Sequence, residues 1–153
     1  MQEDLENHIR RTLSDGLILQ LATQSGDQPW AATMYYASDD NLNIYWLSRP
    51  DTRHSKELAA NPKTAGAIPL DAEPSAPNVG LQVQGIAGFL GDPAEIESAI
   101  RLYAKKYGNS SEFVNNFLAG KDEHKIYKLQ PSLIVLLDEK TYPQNPRQEW
   151  TLN

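Results

Sequence analysis

The chain of 153 residues contains no cysteine, so disulfides, thiolate metal sites and a cysteine nucleophile are all excluded. A reducing compartment suits such a chain, and the expected location is cytoplasmic. Long apolar runs are also missing. The opening residues MQEDLENHIRR are charged and lack the apolar segment of a secretion signal, and no stretch approaches the length of a membrane span. Basic charge is in short supply: 14 Lys and Arg against 20 Asp and Glu leave a net charge of −6 and a pI near 5.0. A general nucleic-acid or anionic-membrane partner would have to overcome that field and is not expected. The three histidines, His8, His54 and His124, are scattered, and no metal site is expected from them. There is no Gly-x-Ser-x-Gly, no Walker-type loop and no dinucleotide fingerprint, which removes the hydrolase, nucleotide triphosphatase and Rossmann readings.

What is present is an ordinary globular composition, 40 % hydrophobic and 22 % charged, in a length that suits one domain over 1–153. Leu5, Ile9 and Leu13 recur every four residues and predict an N-terminal helix within 1–14, stopped by Ser14-Asp15-Gly16. Apolar runs at 17–23 and 29–37 flank the turn Ser25-Gly26-Asp27-Gln28 and read as a hairpin, with a third strand at 43–48. A short strand at 64–68 and a loop at 71–78, containing Pro74 and Pro77, lead to the longest strand signal, 79–90. Leu81, Val83, Ala87 and Phe89 fall on one of its faces and Gln82, Gln84 and Ile86 on the other, and Gly85 and Gly88 suggest a bulge or bend. Helices over about 93–107 and 110–118 precede a last strand at 125–137, and the tail 138–153 carries Pro143 and Pro146. Strands in antiparallel order, without strand-helix alternation, predict an α+β fold: a six-stranded antiparallel split β-barrel of Greek-key type with peripheral helices.

The informative stretch is 43–62, NIYWLSRPDTRHSKELAANP. Ile44 to Leu47 form a strand, Arg49-Pro50-Asp51 breaks it, Asp51 or Thr52 can cap a helix, and Asn61-Pro62 closes that helix. Arg53, His54 and Lys56 occupy its first turn, where the macrodipole already places about half a positive charge. An anion reverses this penalty. A phosphate would find backbone N–H groups there, the hydroxyls of Ser48 and Thr52, and the charges of Arg53 and Lys56. The same residues also fit a solvated surface helix. Asp39-Asp40 and Asp122-Glu123 read as solvated turns, and no side chain stands out as a catalytic acid or base.

The element order together with 43–62 resembles the flavin-binding split barrel of the pyridoxamine 5′-phosphate oxidase superfamily, across most of the chain from Leu17 to Leu137. Ser48, Arg53 with His54, and Asn61-Pro62 match its pattern of a strand ending in a hydroxyl residue, a basic pair and a helix closed by Asn-Pro. The resemblance implies a homodimer with FMN at the interface. It puts the flavin ring along the strand holding Thr33, Met34 and Tyr35, the phosphate near Leu47, Ser48, Thr52, Arg53, His54 and Lys56, and Gln82 of the partner strand 81–87 against the cofactor. Three departures set this chain apart from the oxidase itself. Ala32 and Ala37 stand where the oxidase has basic residues, His54 stands where it has lysine, and the C-terminal tryptophan and arginine for substrate phosphate have no counterpart, so vitamin B6 oxidation is not expected. The Thr52-Arg53-His54 run and the Gly80 to Gly85 segment are nearer to small bacterial members of the superfamily. The expected function is FMN binding, with a flavin-dependent oxidoreductase of unknown substrate as its enzymatic form. The alternative is a non-enzymatic carrier of haem, a deazaflavin or a flavin, with His54 as the candidate axial ligand for haem.

Overall fold

The computed structural model describes residues 2–70 and 73–153, and of residues 2 and 3 the backbone alone. Helix α1 (Gln2–Asp15) lays Ile9 and Leu13, both fully buried, against the sheet, while Leu5 is partly buried beside them. Strands β1 (Ile18–Ser25) and β2 (Gln28–Tyr35) pair as the expected hairpin, with Gly26 at φ 77° supplying the left-handed residue of its turn.

The expected second strand does not continue to Ala37. Tyr36 leaves the ladder and is wholly buried, its hydroxyl donating to the Leu13 carbonyl at 2.6 Å, and the two-residue β3 (Ala37–Ser38) pairs instead with β4 (Ile44–Ser48). Burying one large aromatic under α1 redirects the chain. Helix α2 (Arg53–Ala60), β5 (Lys63–Pro69) and β6 (Val79–Phe89) follow. The proposed loop 71–78 lies partly outside the described residues; its remainder turns through an Ala76 N–H donated to Glu73. Helices α3 (Pro93–Tyr107) and α4 (Ser111–Leu118) are capped by Asp92 and Ser110, and α3 stops at Gly108 in the left-handed region. Strand β7 (Lys125–Asp138) is the longest, and β8 (Arg147–Thr151) returns along it.

Among the described residues, eight strands therefore stand where six were expected. The two additional ones are short: β3 is the offcut made by Tyr36, and β8 lies in the expected irregular tail, where Trp150 packs on the core. All neighbours are antiparallel, in the order β2-β1-β5-β6-β7-β4-β3 with β8 on β7. The sheet curls as a half-barrel around Leu19, Leu21, Ile44, Trp46, Leu81, Val83, Leu129 and Leu136. A second cluster, with Tyr45, Ile100, Phe117 and Ile126, seats α3 and α4 outside it.

Two expectations about β6 part ways in the structure. The bulge is present, as a register shift between Gln84 and Gly85 opposite Pro131. The face is buried at Leu81, Val83 and Ala87 but not at Phe89, which is 65 % exposed at the end of the strand, with the Tyr127 ring 6.4 Å away edge-on.

The order also fixes where the half-barrel is open. Strands β2 and β3 are the two ends of the strand path, so β2 keeps one edge without a strand partner among the described residues. The helix start after β4 lies beside that end of the sheet, since α2 contacts both β1 and β2.

Candidate functional site

Strand β4 ends at Ser48, and the turn Arg49–Thr52 closes through the Thr52 N–H, which donates to the Arg49 carbonyl at 3.2 Å. Thr52, rather than Asp51, is the N-cap of α2: its hydroxyl oxygen accepts from the Ser55 N–H at 3.3 Å. Asn61 is the C-cap, and its side chain donates to the Gln24 carbonyl at 2.9 Å, tying the helix end to the hairpin. The first turn of α2 contains no acidic residue, so the N–H groups of Arg53 and His54 have neither an intrahelical acceptor nor a carboxylate of that turn beside them.

The expected phosphate ligands divide into two groups. Ser48, Thr52 and His54 turn toward one another. Ser48 Oγ is 2.8 Å and Thr52 Oγ1 is 3.3 Å from His54 Nε2, and Thr52 Oγ1 is 2.7 Å from Ser55 Oγ. Ser48 is buried, and burial pushes the His54 imidazole below its ordinary pKa, so the neutral ring is the stable form in this knot. Arg53 and Lys56 face the other way, into an open cleft of about 490 Å³ lined also by Ser25, Asp51 and Glu57.

Arg53 is held from two sides. Its guanidinium carbon lies 4.0 Å over the Trp30 ring of β2, and its Nε donates to Glu57 Oε2 at 3.0 Å. Glu57 is almost fully buried and accepts a second hydrogen bond, from Thr23 Oγ1 of β1, at 2.8 Å. The Arg53 hydrogen bond and then that of Thr23 hold its carboxyl below the usual carboxylate range. The guanidinium uses one donor of five on Glu57, which leaves its terminal nitrogens to the cleft.

Along β2, Thr33 and Tyr35 are on the outward face and Met34 on the inward face against the core. Thr33 donates to Gln20 at 2.5 Å, and Tyr35, 56 % exposed, meets the Tyr107 ring edge-on at 5.7 Å. From Trp30 to Tyr35 is five strand steps, roughly 16 Å at 3.3 Å per residue. Leu47 points away and packs on the α3–α4 cluster. Gln82 is exposed in the same cross-strand row as Thr33, through Gln20 and Ala67, and is three strands from it. Within one chain Gln82 therefore does not meet the helix start. A larger groove of about 780 Å³ crosses the outward face over Ala22, Ala65 and Gly85; Gln84, bonded to Ser132 at 3.3 Å, lines it together with Gln24 and Gln130.

One residue that defines the site, Glu57, was not singled out in the sequence. Glu57 is at i+4 from Arg53, a spacing that signals a helical ion pair. Trp30 is 23 positions away and joins Arg53 only through the tertiary fold.

A half-barrel of antiparallel strands, open beside a basic helix start, is the architecture of the split-barrel class. The sequence profile described as pyridoxamine 5′-phosphate oxidase matches residues 5–137, and the chain belongs to that family. A UPF0306 protein of Yersinia pseudotuberculosis is 29 % identical over 100 residues, which are 65 % of this chain and 67 % of that one. The solved structure of General Stress Protein 26 from Bacillus anthracis superposes with a TM-score of 0.67 at 16 % identity, covering 97 % of this chain and 98 % of that one. That of HutZ, the heme storage protein from Vibrio cholerae, gives 0.61 at 20 % identity, covering 83 % and 89 %. At these identities the two structures speak for the fold alone.

Proposed function

We infer that this protein binds FMN as a homodimer, with the phosphate at the start of α2 and the flavin ring along the free edge of β2. The observation that carries this reading is the Arg53 guanidinium over Trp30, which sets the basic helix start against the strand whose other edge is unpaired. The donor set fits a phosphate monoester: two N–H groups at a helix start, the outer donors of Arg53, and Lys56 in the same cleft. The stretch of β2 from Trp30 to Tyr35 offers length for the remainder of the molecule, and its backbone edge offers hydrogen bonds to a planar heterocycle. Trp30, Tyr35 and Ile86 are large, apolar and exposed, as residues covered by a second subunit would be. A partner strand could then present Gln82, which the single chain leaves three strands away from Thr33.

FMN would supply the redox chemistry of such a site, and a flavin-dependent oxidoreduction is the activity that follows. The protein's residues would fix the phosphate, orient the ring and exclude water on the side of the partner. Haem is the weaker reading, because the half-buried His54 has its Nε2 committed to Ser48, and axial ligation would break that contact.

Titration of the purified protein with FMN, followed by flavin absorbance and fluorescence, tests the reading. Saturable uptake is expected, weakened about tenfold in Arg53→Gln. A protein that ignores FMN, or that carries a Soret band as isolated, would sink it.

A further inference from the structure

Two cations and two carboxylates line the cleft at the helix start: Arg53 and Lys56 against Asp51 and Glu57. Asp51 is answered from outside the cleft by Arg49, whose Nη2 is 3.0 Å from it. Glu57 is different, because its partner is the arginine that a phosphate needs. Burial and the Thr23 hydrogen bond fix the carboxylate in place, so it cannot swing into water when an anion arrives. A phosphate monoester carries a charge of about −1.5 to −2 near neutral pH, and it would share Arg53 with a full negative charge at hydrogen-bond distance. The segment 32–37 adds no cation to offset this, since its two ends are Ala32 and Ala37.

We propose that Glu57 sets the anion selectivity of this site: it is a resident counter-anion of Arg53 that weakens phosphate binding and narrows the preference for a phosphorylated flavin over an unphosphorylated one. Glu57 is a positioning residue here, acting on the ligand through Arg53. The proposal rests on the FMN reading above and names the residue that governs its specificity. The geometry supports both halves. Glu57 takes only the Nε edge of the guanidinium, so phosphate contact remains open, while its charge stays close enough to oppose that contact. The Trp30 ring, 4.0 Å from the guanidinium carbon, favours the rotamer that keeps Arg53 beside Glu57.

Glu57→Gln is nearly isosteric and can still accept from Thr23, so the fold is expected to survive; Glu57→Met serves as a second variant. FMN and riboflavin dissociation constants are measured for the wild type and both variants. The ratio of riboflavin to FMN dissociation constants is expected to rise about tenfold through tighter FMN binding, with riboflavin unchanged. The gain should vanish when Arg53→Gln is combined with Glu57→Gln, which a merely structural role of Glu57 would not require. An unchanged ratio in variants that bind FMN, or equal changes for both flavins, overturns the proposal and leaves the FMN reading standing. Failure of the wild type and of both variants to take up either flavin overturns both.

Discussion

Ser48 Oγ and His54 Nε2 meet at 2.8 Å across the turn that carries β4 into α2. The contact joins the last residue of a buried strand to the second residue of a helix, so the helix start cannot rotate without breaking it. Thr52 reinforces it from 3.3 Å while capping the helix. Together the three residues explain how a short helix of eight residues keeps Arg53 aimed at Trp30.

The same contact gives the turn an acid sensitivity. Burial holds the folded His54 pKa below its ordinary value, so as pH falls the unfolded chain takes up this proton first. Its contribution to stability is complete above an ordinary histidine pKa of about 6.5 and is lost as pH falls below that value. Urea unfolding at pH 7 and pH 5 should show the midpoint falling, and falling less in His54→Gln, which cannot titrate. At pH 7, Ser48→Ala should cost about 1 kcal/mol, the net worth of one hydrogen bond.

Lys106 extends the same dependence, stability rising with pH, to the alkaline side. Its Nζ donates to the Gly16 carbonyl and lies 4.2 Å from the centre of the Tyr36 ring. Burial pushes the amine down to about 8, against the pull of Asp15. Between that value and an ordinary lysine pKa of about 10.4 the unfolded chain holds the extra proton, so stability should rise with pH. Above about pH 10 the slope should reverse, because burial raises the Tyr36 phenol and the unfolded tyrosine ionises first. Denaturant midpoints at pH 7.5, 9 and 10 check the rise, and Lys106→Met should flatten it.

How much of this could be read from the residues depends on how local each cause is. A cap at Asp51 or Thr52, Asn61-Pro62 as stop and Gly108 as terminator are decided within a few positions, and they were legible, the structure choosing Thr52. So was the β1–β2 hairpin around Gly26. The departure of Tyr36 from β2 was not, because its cause is the Leu13 carbonyl of a helix 23 positions earlier. Strand β8 was hidden by Pro143 and Pro146, and its pairing with β7 depends on the tertiary fold. At the site, the basic run 53–56 was visible, but its neutralisation by Glu57 and the stacking on Trp30 depend on how α2 lands on β1 and β2. The sequence reading therefore found the cations and missed the carboxylate that tempers them.

The glycines of β6 separate a required residue from a permitted one. A Cβ at Gly85 would stand 2.2 Å from the Gln130 carbonyl oxygen and 2.9 Å from its carbon. Those are backbone atoms of the neighbouring strand at the register shift, so relief means prising β6 from β7, the most extensive pairing in the sheet. Gly85→Ala should cost roughly 1–3 kcal/mol or more, as overpacking does. At Gly88 a Cβ would meet nothing within 4 Å, and the backbone there is not in the left-handed region. Gly88→Ala should be neutral, or stabilising by about 0.4–1 kcal/mol through the restricted unfolded chain. Urea unfolding of the two variants at unchanged m value reads the difference. Equal costs would mean that the bulge, rather than holding β6 and β7 at close approach, yields freely to a side chain.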